Sequence, residues 1–337
     1  MAPGEAAGLL PAGASAGAGW AGGAACGPGR DTPAWDLPAW DLPAWDLPAW
    51  NFSDRDFPGL LAGAEAGPLF WPAARPDQES AWYGHVPFAH WLVSALRPAL
   101  VVELGTHNGV SFLAFAEAAR RLSGHTRCIA VDLWRGDAHA GFYDDTVHDG
   151  LAAVVADRYR DIAELWRMRF DQAVAQVADG SIDLLHIDGR HRYEDVREDF
   201  LSWRPKLSRR AVVLLHDTEE RREDFGVWRF WAEIRDRVPH FGFTHAHGLG
   251  VLAMGAEVPD AVARLAACAS HDVADTLRAR FAALGARHEA EQAWHASARD
   301  NAVLRAHIAR LQAHIEALAG YAAGLERALA EPPASGR

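Results

Sequence analysis

The chain has 337 residues, half of them hydrophobic and 23% charged, with a formal net charge of −12 and a pI near 5.8. This is a globular balance, and its acidity argues against a protein that lives on phosphate backbones or anionic membranes. Three scattered cysteines, Cys26, Cys128 and Cys268, exclude a disulfide framework and a cysteine metal site, while no apolar run approaches the ~18 residues of a membrane span and no secretory signal opens the chain. The expected setting is a reducing cytoplasm.

Residues 1–58 read as a disordered leader. Up to Arg30 they are mostly Ala, Gly and Pro, too poor in large apolar groups to offset the entropy of ordering. The unit Asp36-Leu37-Pro38-Ala39-Trp40 then recurs at 41–45 and 46–50, and a proline every fifth residue denies both helix and central strand. The spaced tryptophans leave open a docking role toward an aromatic-binding groove.

From 59 to 256 apolar blocks alternate with helical stretches. A helix over 87–96 leads to a strand at 100–104. An amphipathic helix over 110–122 leads to a second strand at 128–131. After a polar insertion, a helix over 147–160 precedes a short strand near 165–170. A helix over 171–178 precedes the strand Ile182-Asp183-Leu184-Leu185-His186-Ile187. A helix over 193–207 precedes the apolar run 211–215, a helix over 228–237 follows, and 241–244 with 249–254 read as a hairpin. Continuously apolar strands alternating with helices mean a parallel sheet covered on both faces. The expected fold is α/β, a doubly wound Rossmann-like sheet of seven strands with an antiparallel C-terminal hairpin.

Beyond 257 only helix signals remain: a helical linker to 302, then a coiled coil over 303–331. Leu304, Ile308, Leu311, Ile315, Leu318, Ala322, Leu325 and Leu329 follow alternating steps of four and three, a heptad period of 3.5. Asn301 falls in register as a polar position of that seam, which favours a parallel homodimer. A single amphipathic helix folded back on the domain is the alternative.

In such a sheet, ligands bind beyond the carboxyl ends of the strands. The first strand ends in Glu103-Leu104-Gly105-Thr106-His107-Asn108-Gly109, whose glycines allow a tight turn and close approach of a ligand. A dinucleotide fingerprint requires Gly where His107 stands, so a nucleoside without a pyrophosphate fits better than NAD. Asp132 closes the second strand, where a carboxylate can accept from a ribose diol.

The run Val101–Gly109 with Asp132 resembles the first motif and ribose-binding acid of class I S-adenosylmethionine-dependent methyltransferases. The block Asp183-Leu184-Leu185-His186-Ile187-Asp188-Gly189-Arg190-His191-Arg192-Tyr193, continuing through Val196, Asp199 and Trp203 to Leu215-His216-Asp217, is similar to a narrower subfamily. Its members accompany glycosyltransferases and are akin to macrocin-type sugar O-methyltransferases and cephalosporin hydroxylase-like proteins. The resemblance covers about residues 80 to 255, and departs from the family at Arg209-Arg210, where a Gly-Gly turn is usual. It implies S-adenosylmethionine as cofactor, with Glu103, Gly105, Thr106, Gly109, Asp132 and Asp188 binding it.

Asp188 and Asp217 end neighbouring strands, with His191 three residues past the first and His216 beside the second. Two readings follow. Asp188 and Asp217, with His216, hold a divalent cation such as Mg²⁺ that acidifies an acceptor hydroxyl; or His191 acts as general base, with Asp188 and Asp217 around it. The expected function is O-methylation of a hydroxyl on a sugar, glycan or glycosylated metabolite. A catalytically silent scaffold that recruits glycosyltransferases through leader and coiled coil is the rival. Expected partners are the sugar or glycan acceptor, a glycosyltransferase and a second copy of the chain, with no nucleic acid and no membrane span.

Overall fold

The computed structural model describes residues 59–330, apart from 60, 62, 123, 124, 138 and 269–271. The leader with its repeats, including Cys26, lies outside the described residues, as do the side chains of Leu325 and Leu329.

Nine strands and eight α-helices order this part of the chain. The strands are β1 (Leu100–Leu104), β2 (Arg127–Asp132), β3 (Gly136–Asp137), β4 (Gly141–Phe142), β5 (Ala163–Arg167), β6 (Ile182–Ile187), β7 (Leu207–His216), β8 (His240–Phe243) and β9 (Leu249–Ala253). The helices are α1 (Val86–Leu96), α2 (Val110–Arg121), α3 (Asp145–Arg158), α4 (Phe170–Ala173), α5 (Tyr193–Trp203), α6 (Val227–Ile234), α7 (Asp260–Ala267) and α8 (Val273–Ala330). Local chemistry sets their ends. Pro87 sits in the first turn of α1, where its missing N–H costs nothing, and Arg97 closes that helix in the left-handed region at φ 47°. Asp144 caps α3 by accepting from the Thr146 amide at 2.9 Å.

Seven strands form one sheet in the order β5-β2-β1-β6-β7-β9-β8. The first five are parallel, and β9 and β8 close the edge antiparallel. The chain runs outward from β1 through β2 to β5, then returns to β6 on the other side of β1. The strand order therefore reverses between β1 and β6, the place where an open α/β sheet parts into a crevice. The polar insertion after β2 carries the two-stranded β3–β4 ribbon.

At Arg209-Arg210 the resemblance implies a turn, but the chain runs as strand. Leu207 already pairs with Ile182, and the register slips before Leu184 meets Val212. Arg209 is held at the edge by Glu257 at 2.7 Å, and Arg210 donates to the Leu96 carbonyl.

Alternating side chains divide the core between the two faces of the sheet. Val101, Cys128, Ala130, Leu184, Val212, Leu214 and Val251 pack beneath α1, α2, α3, α7 and α8. Val102, Leu104, Ile129, Val131, Leu185, Ile187, Val213 and Leu215 pack beneath α5 and α6. The segment 257–302, read from sequence as a linker, contributes Val262, Leu265, Cys268, Ala274, Leu277 and Phe281 to the first of these cores. Gly285 of α8 lies so close to the backbone at Gly84 that a Cβ there would fall 2.1 Å from the Gly84 carbonyl oxygen. The first third of α8 is thus part of the α/β domain. No helix among the described residues is long and apolar enough to cross a membrane.

Phe281 is buried against Phe88, Trp91 and Phe243. Phe281→Ala should therefore cost about 3–5 kcal/mol of stability, read as a lowered denaturant midpoint with an unchanged slope. A helix that merely trailed from the domain would leave the midpoint where it was.

Candidate active site

The crevice between β1 and β6 holds a cavity of about 390 Å³, the size range of a small-molecule site. Its wall on the β1 side is the turn Gly105-Thr106-His107, and on the β6 side Asp188-Gly189-Arg190-His191. Asp132 lines it from β2, Phe170 and Asp171 from the start of α4, and Asp195 and Asp199 from α5. Gly105 sits at φ 85°, and a Cβ there would lie 2.1 Å from the Asp188 carbonyl oxygen, so only glycine permits this closure.

Asp132 does more than the sequence suggests. One carboxylate oxygen accepts from the amides of Thr106 at 2.8 Å and His107 at 3.0 Å, and the other accepts from the Trp134 amide at 2.7 Å. The acid clamps the glycine turn, and one of its four lone-pair sites remains for a ligand hydroxyl rather than the pair a ribose diol would use. His107, in the left-handed region at φ 48°, presents its carbonyl to the Trp134 indole at 3.0 Å and its ring to Tyr143.

Glu103 does not line the cavity. Alternation along β1 sends its side chain to the opposite side of the sheet from Leu104, where it is wholly buried and bonds His186 Nδ1 at 2.8 Å. The two stand directly opposite in the β1–β6 register. Burial pushes the Glu103 carboxyl above its ordinary range, against the pull of His186. The pair joins strands, so Glu103 as a direct cofactor ligand is corrected to a structural role. Gly109 likewise serves the backbone, at φ 78° before α2, rather than lining the cavity.

Asp188, His191, His216 and Asp217 come together at the rim. His191 Nε2 lies 3.1 Å from Asp217 Oδ2 and 3.5 Å from Asp188 Oδ1. His216 Nδ1 lies 3.3 Å from Asp188 Oδ1 and 3.4 Å from Asp217 Oδ1, while its Nε2 meets the Ala246 carbonyl at 3.2 Å. Asp217 takes φ 62°, in the left-handed region that Asp enters more readily than most residues with a side chain, and its carboxylate reaches both rings.

Electrostatics follow from the geometry. Burial alone would raise the Asp188 carboxyl, but His216 and His191 outweigh it and hold it well below the carboxylate range. Burial would lower both imidazoles; the Asp188 and Asp217 carboxylates more than reverse this, raising His191 and raising His216 strongly. Ligand atoms of Asp188, His191 and Asp217 all lie within 4.8 Å of one another, close enough to hold a metal ion.

Sequence reasoning does not reach two neighbours. Phe225 stacks on the His191 ring with centroids 4.9 Å apart and planes 5° from parallel, and His139 packs against both while bonding Asp224 at 2.5 Å. Both come from irregular segments with no motif to mark them.

At the far end of the cavity, burial and the neighbouring acids Asp195 and Glu198 push the Asp199 carboxyl up to about 7. A raised acid makes the folded state hold a proton the unfolded chain has lost. Stability should thus fall as pH rises from about 4 to about 7. Asp199→Asn removes that loss, so the variant should melt above the parent at pH 8 and with it near pH 4. Equal melting temperatures at both pH values would contradict this environment for Asp199.

Residues 102–218 match the family described as a methyltransferase domain. An uncharacterized protein of Sinorhizobium fredii, y4gI, is 47% identical over 198 residues, which make up 58% of this chain and 22% of that protein. The chain therefore spans about a fifth of that relative's length. Among solved structures, the O-methyltransferase TomG of Streptomyces achromogenes, in complex with S-adenosylmethionine, is 16% identical with a TM-score of 0.40, over 53% of this chain and 82% of that one. An O-methyltransferase from Bacillus cereus, in complex with S-adenosylhomocysteine, is 16% identical with a TM-score of 0.38, over 60% and 91%. The family match runs from β1 to just past β7, so the likeness to a methyltransferase domain falls on the parallel strands of the α/β domain and spans about a third of the chain.

Proposed function

We propose that the chain is an S-adenosylmethionine-dependent O-methyltransferase acting on a hydroxyl of a sugar, glycan or glycosylated metabolite. One juxtaposition carries the reading. Asp188 lines the cavity at the strand-order reversal, and its carboxylate also faces the two rim histidines. The Gly105 turn and Asp132 are the residues to hold the nucleoside part of S-adenosylmethionine, which when bound supplies a sulfonium methyl to a nucleophile. Gly105 keeps that wall free of a side chain, which fits a ligand lying against backbone.

A hydroxyl attacks once its proton has somewhere to go. His191 can take it: the imidazolium that forms lies against Asp217 and Asp188, and Phe225 fixes the plane of the ring. His216 sits between the same two carboxylates, so its positive charge offsets one of the two and leaves a single negative charge for the imidazolium of His191 to meet. That arrangement favours His191 as base over a cation bound by Asp188 and Asp217. The sugar acceptor and a glycosyltransferase partner rest on the resemblance of the 183–217 block. The buried free thiols Cys128 and Cys268 support a reducing, cytoplasmic setting.

His191→Ala should lower turnover by roughly 10²–10⁴, the usual general-base contribution, and remove the acidic limb of the pH–rate profile. In the parent that limb should lie above the ordinary histidine value, because the carboxylates keep His191 protonated to higher pH. A chelator should leave turnover unchanged. Turnover abolished by chelation and restored by Mg²⁺ or Mn²⁺ would give the carboxylates to a cation instead. Binding of S-adenosylhomocysteine without turnover on any glycan acceptor would leave the scaffold reading.

A further inference from the structure

Exposed apolar surface is concentrated on one element. Of the twelve large hydrophobic residues exposed among the described residues, eight lie on α8 between Trp294 and Tyr321. Leu304, Ile308, Leu311, Ile315 and Leu318 form a single stripe, each about half exposed or more. Such a contiguous patch marks an interaction surface. Its first-third counterpart on the same helix, Ala274, Leu277 and Phe281, is buried in the domain core, so the stripe projects from a fixed base.

We propose that this stripe binds the same stripe of a second copy, as a parallel two-stranded coiled coil. Three observations choose this occupant. The first is the period: with Asn301, Ile308, Ile315 and Ala322 as a positions and Leu304, Leu311 and Leu318 as d positions, the seam repeats every seven residues over about 32 Å. A seam of period 3.5 is complementary to another such seam, and β-branched a with Leu d favours two parallel strands.

The second is Asn301, an exposed amide at the head of the apolar seam, whose Nδ2 donates to the Ser297 carbonyl of its own helix at 2.9 Å. In a parallel, in-register pair the two Asn301 side chains meet and can bond each other; an antiparallel pair sets them at opposite ends of the seam and forgoes that bond. The third is charge. Asp300 stands at the g position and Arg305 at the following e position, both exposed. In a parallel pair each Asp300 meets the Arg305 of the other strand, twice by symmetry. An antiparallel pair sets g against g, and the remaining described g positions, His307, His314 and Tyr321, offer Asp300 neither Lys nor Arg. The alignment places the two α/β domains together at the same end of the seam.

Sedimentation equilibrium on the full chain should give a reversible dimer. Ile308→Asp with Ile315→Asp should give a monomer whose near-ultraviolet circular dichroism is unchanged, because these side chains touch no core. Asp300→Arg should weaken the dimer severalfold, and adding Arg305→Asp should restore it. Leu304→Cys, oxidised, should cross-link to itself on a non-reducing gel, with the parent as control for the native cysteines. A parent that is monomeric at its highest soluble concentration, or that forms trimers, would overturn the proposal. A dimer indifferent to the aspartate substitutions, or one in which Leu304→Cys fails to cross-link, would also overturn it.

Discussion

The structure turns on the meeting of two backbone segments at the carboxyl ends of β1 and β6. The Asp188 amide donates to the Leu104 carbonyl at 2.8 Å, the Gly105 amide donates to Val131 at 2.9 Å, and Gly105 passes within a Cβ's reach of the Asp188 carbonyl. This contact holds the β1 turn and the β6 turn as opposite walls of one cavity. Asp132 then ties the same turn to β2 through two amides. Backbone hydrogen bonds, which every sequence has, and one position that tolerates no side chain together make the site; the surrounding side chains specialise it.

Two polar groups of opposite kind are buried around that junction. On one face Glu103 and His186 pair in the buried layer beside Trp82 and Phe115, and serve strand alignment. At the rim, Asp188, His191, His216 and Asp217 share two carboxylates between two rings, with Ala246 and Phe225 holding the rings from behind. The first arrangement is closed to ligands. The second opens on the cavity through Asp188 and His191, as the proposed proton transfer to His191 requires.

Much of this is legible in the sequence because strand ends announce themselves. The apolar runs ending at Leu104 and Ile187 are followed by Gly105 and Asp188, and the topology forces both into one crevice. What the sequence hides is pairing across strands. Glu103 reads as a ligand group because it precedes the glycine turn, yet its face is set by alternation and its partner by the β1–β6 register, neither of which a single strand displays. Asp132 reads as a ribose acid, but three of its four acceptor sites are engaged by amides that any residue could supply. Phe225 and His139 arrive at His191 from loops, without periodicity. The strand through Arg209 and Arg210 depends on a register slip opposite Ile182, which composition cannot signal.

The long helix is core at its base and carries an exposed apolar stripe beyond it. The claim on which all else rests is that the β1–β6 cavity binds the cofactor. Calorimetric titration of S-adenosylhomocysteine into the full chain, beside Asp132→Ala, tests it most directly. Losing one charge-assisted hydrogen bond and the clamp on the turn is worth roughly 1.5–3 kcal/mol, so binding should be one-site in the parent and at least about tenfold weaker in the variant. No binding by the parent, or identical titrations for both proteins, would contradict the account.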